Sequence, residues 1–333
     1  MTHHASTEEM ISMMTALPLA VDELAVRAAL PALDVRRALT AMFRALASAE
    51  AVQPPQTLTL FPNGAGDFIT YLGVLADAKV FGAKLSPYIV TGSKPVITAW
   101  TALMSMETGQ PLMWCDAGLL TTERTAGTTA LAVDQLARAD AKRLAIIGAG
   151  AVGLAHLRHV APLRAWESIR VYSPDLAASD AKRAAVQSAD ARAEASASIE
   201  ACVKDADVVM LCTSSGTPVL PRDALTKPAL ITSISTNAVN AHEIDPAWLP
   251  EMDVYCDYRA TTPASTGEMK LAAQHGWSPQ KVKGDLPSLL AGTCEKPAYA
   301  RHAFFRSIGL GLEDVAIASE LYRHLTDRGD QAQ

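Results

Sequence analysis

Residues 142–160 read KRLAIIGAGAVGLAHLRHV, and this stretch decides the fold. A short apolar strand, Leu144 to Ile147, runs into Gly148-x-Gly150-x-x-Gly153, and a helical pattern follows at once. A strand before and a helix after turn a glycine pattern into a dinucleotide-binding turn. Gly148 permits the tight turn, Gly150 lets backbone approach a pyrophosphate, and Gly153 lets the helix pack close to the strand. The helix start, at Ala151 and Val152, offers N–H groups and partial positive charge to phosphates. The expected ligand is a nicotinamide or flavin dinucleotide; the competing reading is a glycine-rich strand–helix turn that binds nothing.

Downstream, strand and helix patterns keep alternating. Leu144–Ile147, Ile169–Tyr172, Val208–Cys212 and Ala229–Ser233 are the strand candidates, which predicts a Rossmann-type doubly wound parallel sheet in an α/β protein. Residues 181–201 read as one surface helix, and Thr125 to Arg138 as a helix leading into the unit. Upstream the texture differs. Ser6 with Glu9 makes a capping box, and Val35, Ala38, Leu39, Met42, Phe43 and Leu46 recur at helical spacing. After Pro54-Pro55, Thr57–Phe61 and Phe68–Leu75 form a hairpin pattern around Asn63-Gly64. Lys79–Ser86, Val96–Met104 and Leu112–Cys115 continue as strands, so this part should be a mainly antiparallel sheet. Leu312–His324 reads as a helix that returns to this first domain.

Composition narrows the class. The 333 residues allow two domains with sizeable cores. A net charge of −6 without a long basic run speaks against nucleic acid as the main partner. The five cysteines are widely spaced with no CxxC, which fits reduced cytoplasmic thiols better than a disulfide framework. No signal peptide and no membrane-spanning run is evident. Histidine spacing suggests no metal site; His156 and His159 read as a solvated helix face.

Three positions suggest chemistry. Ser173 follows the second strand, where an NAD-preferring site usually carries an acid for the ribose 2′-hydroxyl. With Lys182 and Arg183 following, this leans toward NADP, with NAD possible; alternatively Asp175 reaches the ribose and the basic pair is only solvated surface. Lys84 lies in VFGAKLS, where Val80, Gly82, Lys84 and Ser86 share one face of a strand. Small neighbours leave room for an anionic ligand; the alternative is a snorkelling edge lysine. Arg124, at an expected helix start, can clamp a carboxylate bidentately and place Thr128 and Thr129 near phosphate. A salt bridge to Glu123 or Asp116 is the other reading.

Over most of its length the chain resembles the ornithine cyclodeaminase/mu-crystallin family. The segments that carry the resemblance are VFGAKLSPYI, DAGLLTTERTAGTTALA, IIGAGAVG, ADVVMLCTSSGTPVL, SISTNAVNAHEID and FFRSIGLGLEDVAIA. The resemblance implies a homodimer whose subunits insert a Rossmann domain (126–309) into an α+β substrate-binding and dimerisation domain (1–125 plus 310–333). It implies that Lys84 and Arg124 hold a substrate α-carboxylate. Thr213, Ser214 and Ser235 to Asn237 should line the cleft at strand carboxyl ends. Two positions depart from the cyclodeaminase pattern. Gln56 stands where those enzymes carry a second arginine, and Asn237 where they carry an aspartate that activates water. Asparagine cannot act as a base, so ring closure with loss of ammonia is disfavoured. What remains is hydride transfer between an L-amino acid and its 2-imino or 2-oxo acid plus ammonia. QPPQTL, FPNGAGDFITYLG and GAKLSPYI are most similar to arginine dehydrogenase-type members, which implies a basic substrate, L-arginine first. Lys84 would also be a candidate proton donor or acceptor. The alternatives are a cyclodeaminase, a cyclic ketimine reductase, an alanine dehydrogenase, or a non-catalytic binder of NADP or a small ligand. Asp67, Asp77 and Glu243 are candidate partners for a cationic side chain and equally ordinary surface acids.

Overall fold

The glycine turn sits where its sequence requires: strand Arg143–Ile147, then a helix over Ala151–Val160 capped by Gly150. The computed structural model describes residues 17–235 and 239–331; Ser6, Glu9 and Asn237 lie outside them. The chain forms two units. One comprises residues 17–38, 48–121 and 310–331, the other 39–47, 122–235 and 239–309.

The first unit is built on one eight-stranded sheet. Its strands are β1 (Leu19–Val21), β2 (Ala51–Val52), β3 (Thr57–Leu60), β4 (Gly66–Leu75), β5 (Val80–Ile89), β6 (Val96–Ile97), β7 (Trp100–Ser105) and β8 (Pro111–Asp116). The path β1-β8-β7-β5-β4-β2 is antiparallel except for β1 on β8, with β3 added to β4 and β6 to β5. Asn63 and Gly64, both at positive φ, lie in the connection between β3 and β4, as the hairpin pattern implies. The C-terminal helix, Gly311–Gln331, packs on β4, β5 and β7. It lies unusually close. A Cβ on Gly73 would sit 2.7 Å from the Leu312 Cα, and one on Gly82 would come within 3.3 Å of the Val315 side chain. The small residues around Lys84 therefore admit this helix, and the space expected there for a ligand is partly filled by it.

Alternation sorts the sheet into two faces. The row Tyr71–Lys84–Thr101–Cys115 runs across β4, β5, β7 and β8 and is buried. The neighbouring row, Leu72–Ala83–Ala102–Trp114, points the other way; Leu72 and Trp114 are about two-fifths exposed, at 42% and 40%. Trp100 stacks on Trp114 with ring centres 5.7 Å apart.

The second unit carries a fully parallel eight-stranded sheet. Its strands are β9 (Arg143–Ile147), β10 (Ser168–Tyr172), β11 (Ala193–Ala195), β12 (Val208–Leu211), β13 (Leu230–Ser233), β14 (Asp253–Cys256), β15 (Val282–Asp285) and β16 (Ala303–Arg306). Their order is β11-β10-β9-β12-β13-β16-β14-β15. Strand order reverses between β9 and β12, the switch point at which doubly wound sheets bind ligands.

Three expectations need correction. The helix placed at Thr125–Arg138 runs Gly118–Leu136, begun by the Asp116 carboxylate accepting the Gly118 N–H at 2.9 Å. Arg124 is therefore in its second turn, and Thr128 and Thr129 are further inside, not at a helix start. Residues 181–201 are not one helix. Asp180–Ala189 is helical, β11 follows on the edge of the sheet, and Ile199–Val203 forms a short helix capped by Ser198. His156 and His159 are not a solvated face. His156 falls on the buried stripe Gly153, His156, Leu157, Val160, and burial lowers its pKa to about 4. His159 pairs with Glu123 at 2.8 Å.

Candidate active site

In the second unit the cofactor turn is made by close backbone approach. Gly148 has φ +112, and a Cβ there would strike the Cys212 carbonyl at the end of β12. A Cβ on Gly153 would strike the Gly148 carbonyl. Gly150 has open space around it, so its backbone face is accessible to a large ligand group. Ala151 and Val152 open the helix, which has no side-chain cap competing for its first N–H groups. The Thr128 hydroxyl is fully buried and lacks a partner among the described residues, while the Thr129 hydroxyl donates to the Thr125 carbonyl. An accessible glycine backbone and an uncapped helix start at the switch point fit a dinucleotide pyrophosphate.

Beyond β10, Ser173 donates to Asp175 at 2.8 Å, and Lys182 pairs with the same carboxylate. Lys182 first, then Ser173, holds the Asp175 carboxyl below its usual value. Arg183 pairs with Asp180 and donates to the carbonyls of Leu176 and Ala177. The basic pair thus lies beside the end of β10 but is engaged by local acids and carbonyls.

Glu243, read from sequence as an ordinary surface acid or a substrate partner, is neither. It is fully buried and accepts five hydrogen bonds: from the Thr213 N–H and hydroxyl, the Ser233 hydroxyl, and the Ile234 and Ser235 N–H groups. One carboxylate therefore ties the loop after β12 to the loop after β13. Ser235, held this way, adopts φ 51, and its hydroxyl donates to the Ser215 carbonyl at 3.3 Å. Ser214, between these contacts, is exposed.

Two further buried acids complete this edge. Asp257 accepts from the Ile308 and Gly309 N–H groups and from the Ser307 hydroxyl at 2.7, 3.2 and 3.1 Å. Burial pushes its carboxyl above the usual value, and the Thr262 hydroxyl with the Ile308, Tyr258 and Ser307 donors offsets only part of that. The loop it holds ends at Gly309 (φ +75), where a Cβ would collide with the Arg124 guanidinium. Arg124 is only 4% exposed, so its charge lies inside the protein against that glycine. Arg306 pairs with Glu268 at 2.6 Å, both buried, and donates to the carbonyls of Ser233, Ile234 and Ser307. Glu123 is engaged by Arg158 and His159.

In the first unit Lys84 is 1% exposed, which removes the snorkelling reading. Its ammonium lies 3.0 Å from the Asp314 carboxylate, 3.4 Å from the Thr121 hydroxyl and 4.2 Å from the centre of the Tyr71 ring. Thr121 lies at the start of the Gly118–Leu136 helix. Gln56 is half-buried just before β3, its Oε1 enclosed without a partner among the described residues. Asp67 is half-buried in β4 and Asp77 is exposed in the following turn.

Sequence reasoning missed Asp314, Glu243 as a structural carboxylate, Asp257 and the Arg306–Glu268 pair. A signal for Asp314 was present: Glu313 and Asp314 interrupt the apolar run GLGLEDVAIA, and both are buried. No metal-binding group of acids, cysteines or histidines occurs among the described residues.

Known proteins match this chain along nearly its whole length. The model of the ornithine cyclodeaminase/mu-crystallin family matches residues 19–329. An NAD(P)H-dependent anabolic L-arginine dehydrogenase, DauB, of Pseudomonas aeruginosa is 54% identical over 312 residues, 93% of this chain and 98% of its own. The iminosuccinate reductase of Paracoccus denitrificans is 28% identical over 263 residues, 76% of this chain and 80% of its own. The crystal structure of a probable ornithine cyclodeaminase from Bordetella pertussis superposes with a TM-score of 0.83 at 29% identity, covering 94% of this chain and 98% of that one. The chain belongs to the ornithine cyclodeaminase/mu-crystallin family.

Proposed function

We propose that this protein is an NAD(P)-dependent oxidoreductase that interconverts L-arginine and its 2-imino acid, which water converts to the 2-oxo acid and ammonia. The observation that carries this reading is the 54% identity to the Pseudomonas arginine dehydrogenase across 93% of the chain. The glycine turn at the switch point supports the cofactor independently. Gly148, Gly150, Ala151, Val152 and Gly153 would hold the pyrophosphate, with Thr128, Thr129, Thr213, Ser214 and Ser235 lining the remainder. When bound, the nicotinamide supplies the hydride acceptor or donor.

The chain's own part is to position and to exclude water. Lys84 and Arg124 would hold the α-carboxylate, with Gln56 as a neutral hydrogen-bonding neighbour. Fixing the carboxylate fixes Cα, and positioning of this kind supplies several kcal/mol of a barrier. The substrate ammonium must lose a proton before Cα can release hydride, so oxidation should quicken at alkaline pH. The test is a panel of L-amino acids with NADP⁺ and NAD⁺ at alkaline pH, following the reduced-nicotinamide band. Arginine should lead, followed by lysine and ornithine. A panel in which only small apolar amino acids react would overturn the substrate. Stoichiometric proline from ornithine without net reduction of the cofactor would overturn the reaction type.

NADP is the preferred cofactor in this reading, because Ser173 presents no charge to a 2′-phosphate. Ser173→Asp should invert the ratio of kcat/KM values toward NAD⁺; equal use of both cofactors, unchanged in the variant, would count against it. Asp175 is the residue that sets how strict the preference is, since it already draws Lys182 toward itself.

The protein is read as a cytoplasmic homodimer. No helix among the described residues is long and apolar enough to cross a membrane, and the five cysteines are free thiols. The apolar row Leu72–Ala83–Ala102–Trp114 and the stacked Trp100 form a continuous open sheet face of the kind that marks an interface. Trp114→Glu should convert a dimer to monomer in light scattering. A variant that stays dimeric would place the interface elsewhere, and a monomeric parent would overturn the homodimer reading.

A further inference from the structure

A lysine as buried as Lys84 would ordinarily shed its proton, because low dielectric disfavours the charged form. Its surroundings oppose that. The Asp314 carboxylate, 2% exposed, lies 3.0 Å away, and the negative face of the Tyr71 ring lies 4.2 Å from the ammonium. Both favour the cation. The remaining groups on the surrounding elements are the Thr121 hydroxyl, Thr101 opposite on β7, Cys115 and Asp116 on β8, and Glu313 beside Asp314. Burial and Asp116 push the Cys115 thiol up to about 12, so it stays neutral.

The position of Asp314 is set by the close approach of its helix to β4 and β5. Leu312, two residues before it, lies against Gly73, and Val315, one residue after it, lies against Gly82. Asp314 is therefore pinned over β5 from both sides. Its place in the first turn of the Gly311–Gln331 helix also suits a negative charge.

We propose that Asp314 is the positioning residue of Lys84: it fixes the ammonium on the buried face of β5 and keeps it charged, so that Lys84 meets substrate as a permanent cation and not as a proton acceptor. The proposal rests on reading Lys84 as a carboxylate anchor. It removes Lys84 from the list of groups that could take the proton of the substrate ammonium.

The test is the pH dependence of kcat/KM for L-arginine in the unaltered enzyme, Asp314→Asn and Asp314→Glu. Removing the anion makes the buried ammonium easier to deprotonate. The asparagine variant should lose about 10- to 100-fold in kcat/KM for the amino acid. Its alkaline limb should move to lower pH, and KM for NADP⁺ should hold. The glutamate variant keeps the charge, so its limb should stay in place even if its rate falls. An unmoved limb in Asp314→Asn overturns the proposal. If that variant does not fold, Asp314→Glu decides, and a limb shifted down there overturns it. Lys84→Ala with unchanged kcat/KM would instead overturn the anchor reading on which the proposal stands.

Discussion

Arg124→Ala should lower kcat/KM for the amino acid by about 10- to 150-fold, the loss expected for one charge-assisted hydrogen bond to a carboxylate, roughly 1.5–3 kcal/mol. Arg124→Lys should recover little of it, because an ammonium cannot reproduce the planar fork. Geometry supplies an independent arm. Gly309 leaves the guanidinium its place, and Gly309→Ala would put a methyl group into it. That variant should raise KM for the amino acid with no change at Arg124 itself. It would also strain a backbone at φ +75, so a melting curve must accompany the kinetics. Steady-state rates on arginine decide the matter. Unchanged kinetics in Arg124→Ala would remove the residue from the site.

The second large effect is expected at Glu243. Glu243→Ala would leave five donors around an empty space in the loops after β12 and β13. Each unsatisfied buried donor costs about 1–3 kcal/mol, though water entry and loop relaxation recover part of the sum. A net loss of about 3–5 kcal/mol is expected, or on the order of 10 °C in melting temperature for a unit of this size. Glu243→Gln should be nearly as harmful. Oε1 accepts two of the five bonds and Oε2 three, so an amide nitrogen in either place faces donors. Thermal unfolding with and without NADP⁺ gives the answer. Because Thr213 and Ser235 move with this carboxylate, stabilisation by the cofactor should shrink as well. A variant that melts like the parent would show that the network contributes nothing.

The parts of the molecule legible in the sequence were those set by local rules. The turn at Gly148–Gly153 was readable because Gly148 and Gly153 sit where a Cβ would strike backbone, and Gly150 leaves the turn open to a large ligand group. The face containing Lys84 was readable from the two-residue period of a strand. The burial of Lys84 was not, since it depends on a helix that arrives more than two hundred residues later in the chain. The same holds for Glu243, whose partners lie on two separate loops and whose neighbours Asn240 and His242 look like surface. His156 was misread because a polar residue on an apolar stripe looks solvated until the stripe is placed against a sheet. The helix start was placed at Thr125 because the first turns hold Gly118, Thr121 and Thr122, which have low helix preference. Residues 181–201 were misread because alanine and serine carry little information about where a helix stops. The family resemblance supplied the proposed roles of Lys84 and Arg124, which local rules left open.

The Gly311–Gln331 helix that covers β4 and β5 is made more than two hundred residues after those strands. Between the end of β8 and the start of that helix lie all the residues of the dinucleotide unit except 39–47. At typical elongation rates their synthesis takes about 10 to 40 s. Throughout that interval the nascent sheet exposes the glycine-lined face of β4 and β5, and Lys84 has no Asp314 beside it. The dinucleotide unit, made of residues 39–47 and the stretch from residue 122 to residue 309, is fully synthesised before that helix appears. Order of synthesis thus brings out the whole parallel-sheet unit before the helix that covers the buried face of β4 and β5.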